Sequence, residues 1–373
     1  MKLCVISPFP PQSDGIAEFN DDMLTELTKY SDFSFEGINI KRDGLPVHTD
    51  LHPIIFSIDR DTFSDYTAAA AHINMSDVDL VCIQLEYAVY GGFDGEYIAS
   101  LIKQVKKKVV LIIHGLPINS YSRRKLIRKK FFKELQPYVA GYIVINPIQE
   151  RVLNSWGIIK NVITIPHGIP SKIVASTRIV NVKQTQIFTF GLLHKKKGLE
   201  YLLAGFNSFS KSNNRAHLTI VGGALRGKEN EKYLSSLLTY SKNHSLENKV
   251  TIIPQFLPRE TIYKYLLSSD IVVFPYIKRD LVSSGALSFA IGARTFVVTT
   301  PFPYAKEILD KTEAYFVPYE NSNAISNAFN FFTNNPSLVN EMQDALSKKA
   351  GKLSWEHIAK KYYEFFTKII SQK

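Results

Sequence analysis

Three consecutive lysines are the strongest chemical signal in the sequence. Lys195, Lys196 and Lys197 lie between an apolar run of strand length and Gly198, after which apolar residues recur at helical spacing. The apolar residues of this stripe are Leu199, Leu202, Leu203 and Phe206. Lysines on such a strand-to-helix loop suit a phosphate, because their ammonium groups donate to anionic oxygens. The alternative is a solvated charge run, which three lysines alone would favour.

A second loop also suits an anion. The segment 277–284 ends in Ser283 and Ser284, and Gly285 precedes a predicted helix over residues 286–291. Unpaired N–H groups and the dipole at a helix N-terminus attract an anion, and glycine lets the backbone approach it closely. The simpler interpretation is an ordinary serine N-cap. Gly222, which follows the apolar run LTIV, is a third point of close approach.

Two histidines and one early glycine complete the candidates. His114 follows the apolar run VVLII, so we expect it at the carboxyl edge of a sheet, either facing a ligand or as a capped structural histidine. His167 lies in IPHGIP near the junction of the two halves, and we expect a structural or linker role. Gly15 ends the loop PFPPQSDG after the first predicted strand. No GxGxxG follows that strand, so the dinucleotide-binding fingerprint is missing.

Strands and helices alternate along both halves of the chain. The predicted strands cover residues 2–7, 35–40, 54–58, 78–84, 109–113, 142–145, 162–165, 187–193, 218–222, 250–254, 271–276, 296–300 and 315–317. The runs 271–276 and 296–300 are short, β-branched and apolar, which is typical of parallel strands covered on both faces. The pattern predicts an α/β fold with parallel sheets. The polar segment 170–184 predicts a domain boundary.

Composition limits the class of protein. A chain of 373 residues with 45% hydrophobic residues suits two α/β domains. Cys4 and Cys82 lie in strand-like runs without a CxxC motif, which predicts buried free thiols in a reducing compartment. Neither a signal peptide nor 18 consecutive apolar residues occur, so we expect a cytoplasmic protein. The net charge of +11 indicates anionic partners, but basic residues are not interleaved with aromatics on any strand, so nucleic acid is the least favoured.

Motifs along nearly the whole chain carry a family resemblance. They are PPQSDGIAEF, QLEYAVYGGFDGEY, HGLP, IPHGIP, FGLLHKKKGLEYLLAGF, SSGALSFAIGARTFVVTTPFPYAKEIL and SWEHIAKKYYEFF. With them the chain resembles retaining glycosyltransferases of family four, within the glycosyl transferases group 1. The resemblance implies the GT-B architecture, two Rossmann-like domains whose parallel sheets face each other across a cleft. It places an acceptor-side domain at 1–170, a nucleotide-sugar-binding domain at 184–355, and a helix at about 356–373 that packs back on the first domain.

The resemblance also implies an activity. A hexose would move from a GDP- or UDP-linked sugar to a glycan, lipid-linked or small-molecule acceptor, with retention, in polysaccharide biosynthesis. Neither a metal ion nor another cofactor is expected; Asp77 and Asp79 precede a strand, whereas the DxD-like pair of metal-dependent transferases follows one. Lys197 matches the family's phosphate lysine and His114 its cleft histidine near the donor sugar, and both are predicted catalytic residues. The predicted donor- or phosphate-binding residues are Gly15, Lys195, Lys196, Gly198, Gly222, Ser283, Ser284, Gly285 and Glu307, the last as the acid that opens the late helix.

Three positions depart from the family pattern. The usual arginine after the glycine of the lysine loop is Leu192, and the paired glutamates are Leu281 and Phe289. None of these side chains can bind a phosphate or a ribose. Lys195, Lys196 or Arg294 could supply the missing charge. The alternative hypothesis is a catalytically degenerate GT-B scaffold that binds a ligand or partner.

Two helices carry predictions of their own. In the terminal helix one apolar stripe runs along Trp355, Ile358, Ala359, Tyr362, Phe366 and Ile369, and we expect it to pack on the first domain. Residues 121–135, from Tyr121 to Leu135, predict a helix with Ile127, Phe131 and Leu135 on one face and Lys125, Lys129 and Lys133 on the other. The hypothesis is docking on an anionic membrane at its inner face, to reach a lipid-linked acceptor. The alternative is a basic solvent face.

Overall fold

The computed structural model describes residues 1–12, 15–41, 52–118, 123–179, 184–223 and 227–372. Part of the predicted boundary segment, 180–183, and the first two residues of the predicted basic helix, 121–122, lie outside this range. The chain forms two compact units. The first consists of Met1–Gly168 together with Trp355–Lys373, and the second is Ile169–Ser354.

A parallel sheet forms the centre of the first unit. Its seven strands, in the order β3-β2-β1-β4-β5-β6-β7, are β1 Lys2–Ser7, β2 Ser34–Lys41, β3 Ile54–Asp59, β4 Leu80–Leu85, β5 Lys108–Ile113, β6 Gly141–Val144 and β7 Val162–Thr164. The helices between them are α1 Gly15–Leu27, α2 Phe63–Met75, α3 Tyr97–Gln104, α4 Arg123–Leu135 and α5 Pro147–Ser155. Every residue of β4 and β6 is buried, as expected of strands covered on both faces.

The second unit repeats this design with a smaller parallel sheet. Its six strands, in the order β10-β9-β8-β11-β12-β13, are β8 Thr185–Phe190, β9 Ala216–Val221, β10 Val250–Ile253, β11 Ile271–Phe274, β12 Phe296–Thr299 and β13 Ala314–Phe316. Its helices are α6 Ser171–Ala175, α7 Leu199–Ser210, α8 Lys228–Asn243, α9 Arg259–Leu267, α10 Gly285–Ala293, α11 Pro303–Ile308, α12 Ser322–Asn334 and α13 Pro336–Lys352. All strand pairs in both sheets are parallel. The predicted α/β fold with parallel sheets is confirmed, and α6 lies within the segment that was predicted as a polar boundary.

The last helix, α14 Trp355–Ser371, belongs to the first unit. Its whole predicted apolar stripe is buried. The indole of Trp355 donates to Asp22 of α1 at 3.1 Å, and the Lys108 ammonium donates to the carbonyls of Ile369 and Ile370 at 3.0 and 2.9 Å. A lysine at the negative end of the helix dipole stabilises that end. The C-terminal end of α14 is therefore bound to Lys108 at the start of β5.

The basic helix α4 is rotated from its predicted orientation. Of the predicted apolar face, Leu135 is buried and Ile127 and Phe131 are partly buried. Arg128 and Phe132 are buried as well, so the buried face is shifted from the predicted one. The cause is Arg128, whose guanidinium lies 2.9 Å from the centroid of the Tyr87 ring, donates to the Asp94 carbonyl at 2.7 Å and pairs with the Asp94 carboxylate. A buried guanidinium needs such partners, and they turn Arg128 toward the core.

Candidate functional site

The lysine loop is held by glycines at both ends. Gly191, directly after β8, has a φ of +127°, and Gly198 has a φ of +63°. A Cβ at Gly198 would lie 2.2 Å from the carbonyl oxygen of Pro275, so a larger residue would push the loop away from the end of β11. The N–H of Ile277 donates to the carbonyl of Lys196 at 3.0 Å. The lysine turn thus contacts the start of the serine loop at the carboxyl edge of the sheet.

The structure distinguishes Lys197 from its neighbours. The ammonium of Lys197 lies 3.8 Å from the centroid of the buried Tyr276 ring and equally far, 3.8 Å, from where a Cβ of Gly191 would stand. A cation over an aromatic face is attracted by the ring quadrupole, so the ammonium has a defined position. Lys195 and Lys196 have exposed side chains. Only Lys197, of the three, is both partly buried and positioned by an aromatic ring.

His194 was not among the predicted residues. Its Nδ1 accepts a hydrogen bond from the N–H of Lys196 at 3.1 Å and so caps the lysine turn. Burial, followed by the charges of Lys196 and Lys197, lowers the pKa of His194, and the neutral ring can act as this acceptor. The sequence offered one signal, a polar residue directly before a short turn.

Gly222 lies in close backbone contact with Gly191 of the lysine loop. A Cβ on this residue would lie 1.6 Å from the carbonyl oxygen of Gly191, which is far inside any real contact. The N–H of Gly191 donates to Val221, and that of Gly222 donates to Ile253, both at 3.0 Å. The neighbouring Gly223 lies against the ring of Phe256, which is 60% exposed. The glycine pair therefore allows two loops to touch through their backbones, and it leaves an exposed aromatic ring at the same sheet edge.

Ser284 is the N-cap of α10. Its Oγ accepts from the N–H of Leu287 at 3.2 Å, so this hydroxyl satisfies a first-turn donor of the helix itself. Ser283 and Gly285 are partly buried, and Gly285 is the first helical residue. Because β8 and β11 are parallel neighbours, the lysine loop and the start of α10 both lie at the carboxyl edge of the second sheet. This edge can present an ammonium and a helix N-terminus to one anion.

The three departures from the family pattern differ in their surroundings. The side chain of Leu192 is 37% exposed, and Leu281 is partly buried. Phe289 is buried and stacks on Phe190 with ring centroids 6.4 Å apart. The guanidinium of Arg259 lies 5.7 Å from the Phe289 ring. Arg259, which the sequence analysis did not consider, therefore brings a cation beside the position of the second family glutamate.

Two predicted placements in the second unit are wrong. Arg294 donates to the carbonyls of Val174 and Ser176 near the end of α6, and it follows the C-terminal end of α10, whereas the anion-suited end is the N-terminus. It cannot supply the missing charge there. Glu307 lies exposed in the last turn of α11 and does not open that helix. The helix begins at Pro303 because a proline fits the first helical position, where no N–H is needed.

His114 lies in a buried polar group of the first unit. It is 5% exposed, and its Nε2 donates to the Gln84 side-chain oxygen at 2.8 Å. The Gln84 amide in turn donates to Asn20 at 3.0 Å. Phe19 meets the rings of both His114 and His167 edge-on, at 4.7 and 5.0 Å between centroids. His114 is thus a well-supported structural residue, and its role beside a donor sugar stays a prediction.

Burial shifts the protonation of His114. Burial, and then the nearby His167, lowers the pKa of His114 from 6.5 to about 3. The folded state therefore resists a proton that the unfolded chain accepts below about pH 6.5, so this group lowers stability as the pH falls toward 3. Replacing His114 with glutamine, whose amide can still donate to Gln84, should remove up to about 1.4 kcal/mol per pH unit of this dependence. Urea unfolding at several pH values measures it.

The matched control is His244→Gln, since His244 is exposed. It should leave the pH dependence close to that of the wild type. An identical pH dependence of the wild type and His114→Gln would show that folding does not shift the pKa of His114.

Gly15 is the first residue of α1. It is exposed, and a Cβ built on it would meet nothing within 4 Å among the described residues. Folding therefore does not require a glycine at this position, unlike at Gly198 or Gly222. The prediction that Gly15 allows a ligand to approach the backbone closely stays a prediction.

Other predictions concern cysteines, metals and membranes. Cys4 and Cys82 are buried and unpaired, as predicted. Among the residues the structure describes, no three histidine, cysteine, aspartate or glutamate side chains are grouped to hold a metal ion. The helices in the described ranges include none that is long and apolar enough to cross a membrane.

The family model of the glycosyl transferases group 1 matches residues 172–353. No curated protein matches the chain in sequence. The fold resembles that of a glycosyltransferase from Rickettsia africae ESF-5, at 14% identity over 100% of both chains with a TM-score of 0.78.

Two further solved structures have the same fold. Sucrose-phosphate synthase from Thermosynechococcus elongatus is 16% identical, with 100% of this chain and 99% of that chain covered and a TM-score of 0.78. Anabaena HepE in complex with UDP is 13% identical, with 99% of this chain and 100% of that chain covered and a TM-score of 0.78. At these identities the likeness establishes the fold. The chain thus has the GT-B fold, and within its second unit residues 172–353 match the family model of the glycosyl transferases group 1.

Proposed function

We propose that the protein is a retaining, metal-independent glycosyltransferase that moves a hexose from a nucleotide-diphosphate sugar to a glycan, lipid-linked or small-molecule acceptor. The observation that carries this proposal is the position of Lys197, whose ammonium is held over Tyr276 beside the backbone contact of Gly191 and Gly222. The N-terminus of α10 lies at the same sheet edge. Together they suit a diphosphate.

The proposed role of these groups is to stabilise the negative charge that develops on the diphosphate. When the bond from the anomeric carbon to the diphosphate oxygen breaks, its electron pair stays on the diphosphate and the sugar becomes oxocarbenium-like. A fixed ammonium and helix N–H groups stabilise this growing negative charge more than the ground state, which lowers the barrier. Within this proposal Lys197 is the main phosphate ligand, and Lys195, Lys196, Gly198, Ser283 and Gly285 form the remainder of the loops around it.

The donor is proposed to be a UDP- or GDP-linked hexose. HepE, one of the proteins with this fold, has been crystallised with UDP and with UDP-glucose. The exposed Phe256 ring at the end of β10 gives an aromatic surface near the glycine pair, where a base can stack. Arg259 next to Phe289 is the proposed replacement for part of the missing family charge.

A donor screen tests this function. Purified protein with UDP-glucose, UDP-galactose or GDP-mannose should unfold at a higher temperature with one of them, because a ligand that binds the folded state alone stabilises it by about 2.7 kcal/mol at 100 times its Kd. Excess EDTA should change neither the shift nor the turnover. Differential scanning fluorimetry and release of the nucleoside diphosphate measure the two effects.

The outcomes separate the two hypotheses. Binding with transfer to an acceptor pool that includes cell lipid extract supports the enzyme. Binding without hydrolysis or transfer to any acceptor favours the degenerate GT-B scaffold. A loss of donor binding in EDTA that added magnesium restores would contradict metal independence.

We further propose that α4 docks on an anionic membrane, at its inner face, so that the enzyme reaches a lipid-linked acceptor in polysaccharide biosynthesis. The exposed bases of this helix are Arg123, Arg124, Lys129, Lys130 and Lys133, and Leu126 is 70% exposed among them. Each base close to an anionic surface contributes about 1 kcal/mol. An exposed leucine among bases suits the headgroup region.

Flotation with vesicles tests this surface. The protein should float with phosphatidylglycerol vesicles and not with phosphatidylcholine vesicles, and Lys129→Glu/Lys130→Glu should reduce its binding by more than tenfold. The control Lys211→Glu/Lys348→Glu makes the same charge change at exposed positions of the second unit and should reduce binding much less. Equal binding to both kinds of vesicle would discard the membrane role.

A further inference from the structure

The first unit contains a cavity of about 530 Å³ that the proposed transfer chemistry does not use. It lies at the amino ends of three neighbouring parallel strands, since its lining includes Lys106–Lys108 at the start of β5, Val139–Ala140 before β6 and Lys160–Asn161 before β7. In parallel α/β sheets the substrates bind at the opposite, carboxyl edge. The cavity is therefore separate from the edge that carries His114.

The rim of the cavity is basic. Lys106 and Lys160 are exposed, and Lys107 is partly buried. Lys108 also lines the cavity, but its ammonium already binds the carbonyls at the end of α14. The described residues of the lining include no acidic side chain. Three lysines that face one concave space without a carboxylate in its lining favour an anion there.

The lining also contains apolar side chains. Val139, Ile158 and Ile369 contribute hydrocarbon surface to the wall of the cavity. A volume of about 530 Å³ is within the usual range of small-molecule sites, which combine an apolar lining with a few polar groups. Lysines and hydrocarbon in one lining match a ligand that has a charged part and an apolar part.

Tyr142 contributes apolar surface to the cavity. This residue lines the cavity and is 2% exposed, but its hydroxyl oxygen has less than 1 Å² of accessible surface, so a ligand in the cavity does not reach it. The aromatic ring therefore adds to the apolar part of the lining.

We propose that this cavity binds a small organic anion, a phosphate or carboxylate group carried on an apolar body. The charged group lies among Lys106, Lys107 and Lys160, and the apolar body packs on Ile158 and its neighbours. Because the C-terminal end of α14 forms one wall, through Ile369 and Gln372, the ligand also contacts that helix.

The probe for this site is 1-naphthyl phosphate, which combines a phosphate monoester with an aromatic body. The full-length protein should bind it more tightly than 1-naphthol or inorganic phosphate in isothermal titration. Lys107→Glu/Lys160→Glu should weaken binding at least tenfold, whereas the control Lys211→Glu/Lys348→Glu should not. UDP, as a probe of the donor site, should not displace the ligand, and the Lys107/Lys160 pair should leave UDP binding unchanged.

Vesicles distinguish the source of the anion. If phosphatidylglycerol vesicles bind through this site, the Lys107/Lys160 pair reduces flotation, and the ligand is a lipid headgroup. If Lys107→Glu/Lys160→Glu weakens the binding of 1-naphthyl phosphate but not of the vesicles, the ligand is soluble. Binding of neither probe, equal binding of inorganic phosphate and its naphthyl ester, or an equal loss in the control pair would overturn the proposal.

Discussion

Lys197→Ala should lower the rate of transfer at least about tenfold. A charge-assisted hydrogen bond contributes about 1.5–3 kcal/mol, and each 1.4 kcal/mol is a factor of about ten in rate. The loss should appear mainly in kcat, because the charge on the diphosphate grows as the leaving group departs. Release of nucleoside diphosphate at saturating donor measures it.

Lys195→Ala is the matched control for this change. Both residues belong to the same turn, but the side chain of Lys195 is exposed, whereas the Lys197 ammonium lies over the Tyr276 ring. We expect less than a threefold effect from Lys195→Ala. Full activity of Lys197→Ala would show that the phosphate is bound elsewhere, and Arg259 would become the next candidate. Melting temperatures of both variants check that the loop remains folded.

Gly222→Ala should abolish detectable donor binding and destabilise the second unit. The new methyl group would stand 1.6 Å from the Gly191 carbonyl oxygen, so the backbone of the lysine loop must move. Overpacking against a side chain usually costs about 1–3 kcal/mol, and here the obstacle is backbone, so a cost at the upper end or above is expected. Titration with UDP and urea unfolding measure the two effects.

Gly351→Ala is the control for adding a methyl group. A Cβ at Gly351, in α13, meets nothing within 4 Å among the described residues, so alanine should leave donor affinity unchanged and can stabilise the helix. Wild-type UDP affinity in Gly222→Ala would show that the contact with Gly191 does not shape the site. If Gly222→Ala fails to fold, serine at Gly223, whose neighbour is the exposed Phe256 ring, provides a milder displacement of the same loop.

The sequence by itself determined that the sheets are parallel and where the candidate loops lie. Strand propensity and an unbroken run of apolar residues are local properties, so runs such as VVLII and IVVF identify buried parallel strands without any knowledge of their neighbours. The alternation of strands and helices then puts the lysine loop and the serine loop at the carboxyl ends of their strands. The apolar stripe of α14 was likewise visible in its spacing, and all of it is buried.

Only the tertiary structure decided which side chains within those loops can act. Lys197 differs from Lys195 because it meets Tyr276, a residue distant in sequence, and Gly222 is required because the Gly191 carbonyl occupies the space of its Cβ. Arg294 is bound to the carbonyls near the end of α6, a contact that no local pattern contains.

Contacts between residues distant in the chain also explain the orientation of α4. Helical spacing predicts an apolar face, but the ring of Tyr87 and the loop at Asp94 bind the Arg128 guanidinium and turn the helix toward it. Periodicity reports which residues can share a face, whereas contacts between segments far apart in the chain decide which face is buried. The positions of Arg128, Arg294 and Lys197 were therefore decided by partners distant in the chain.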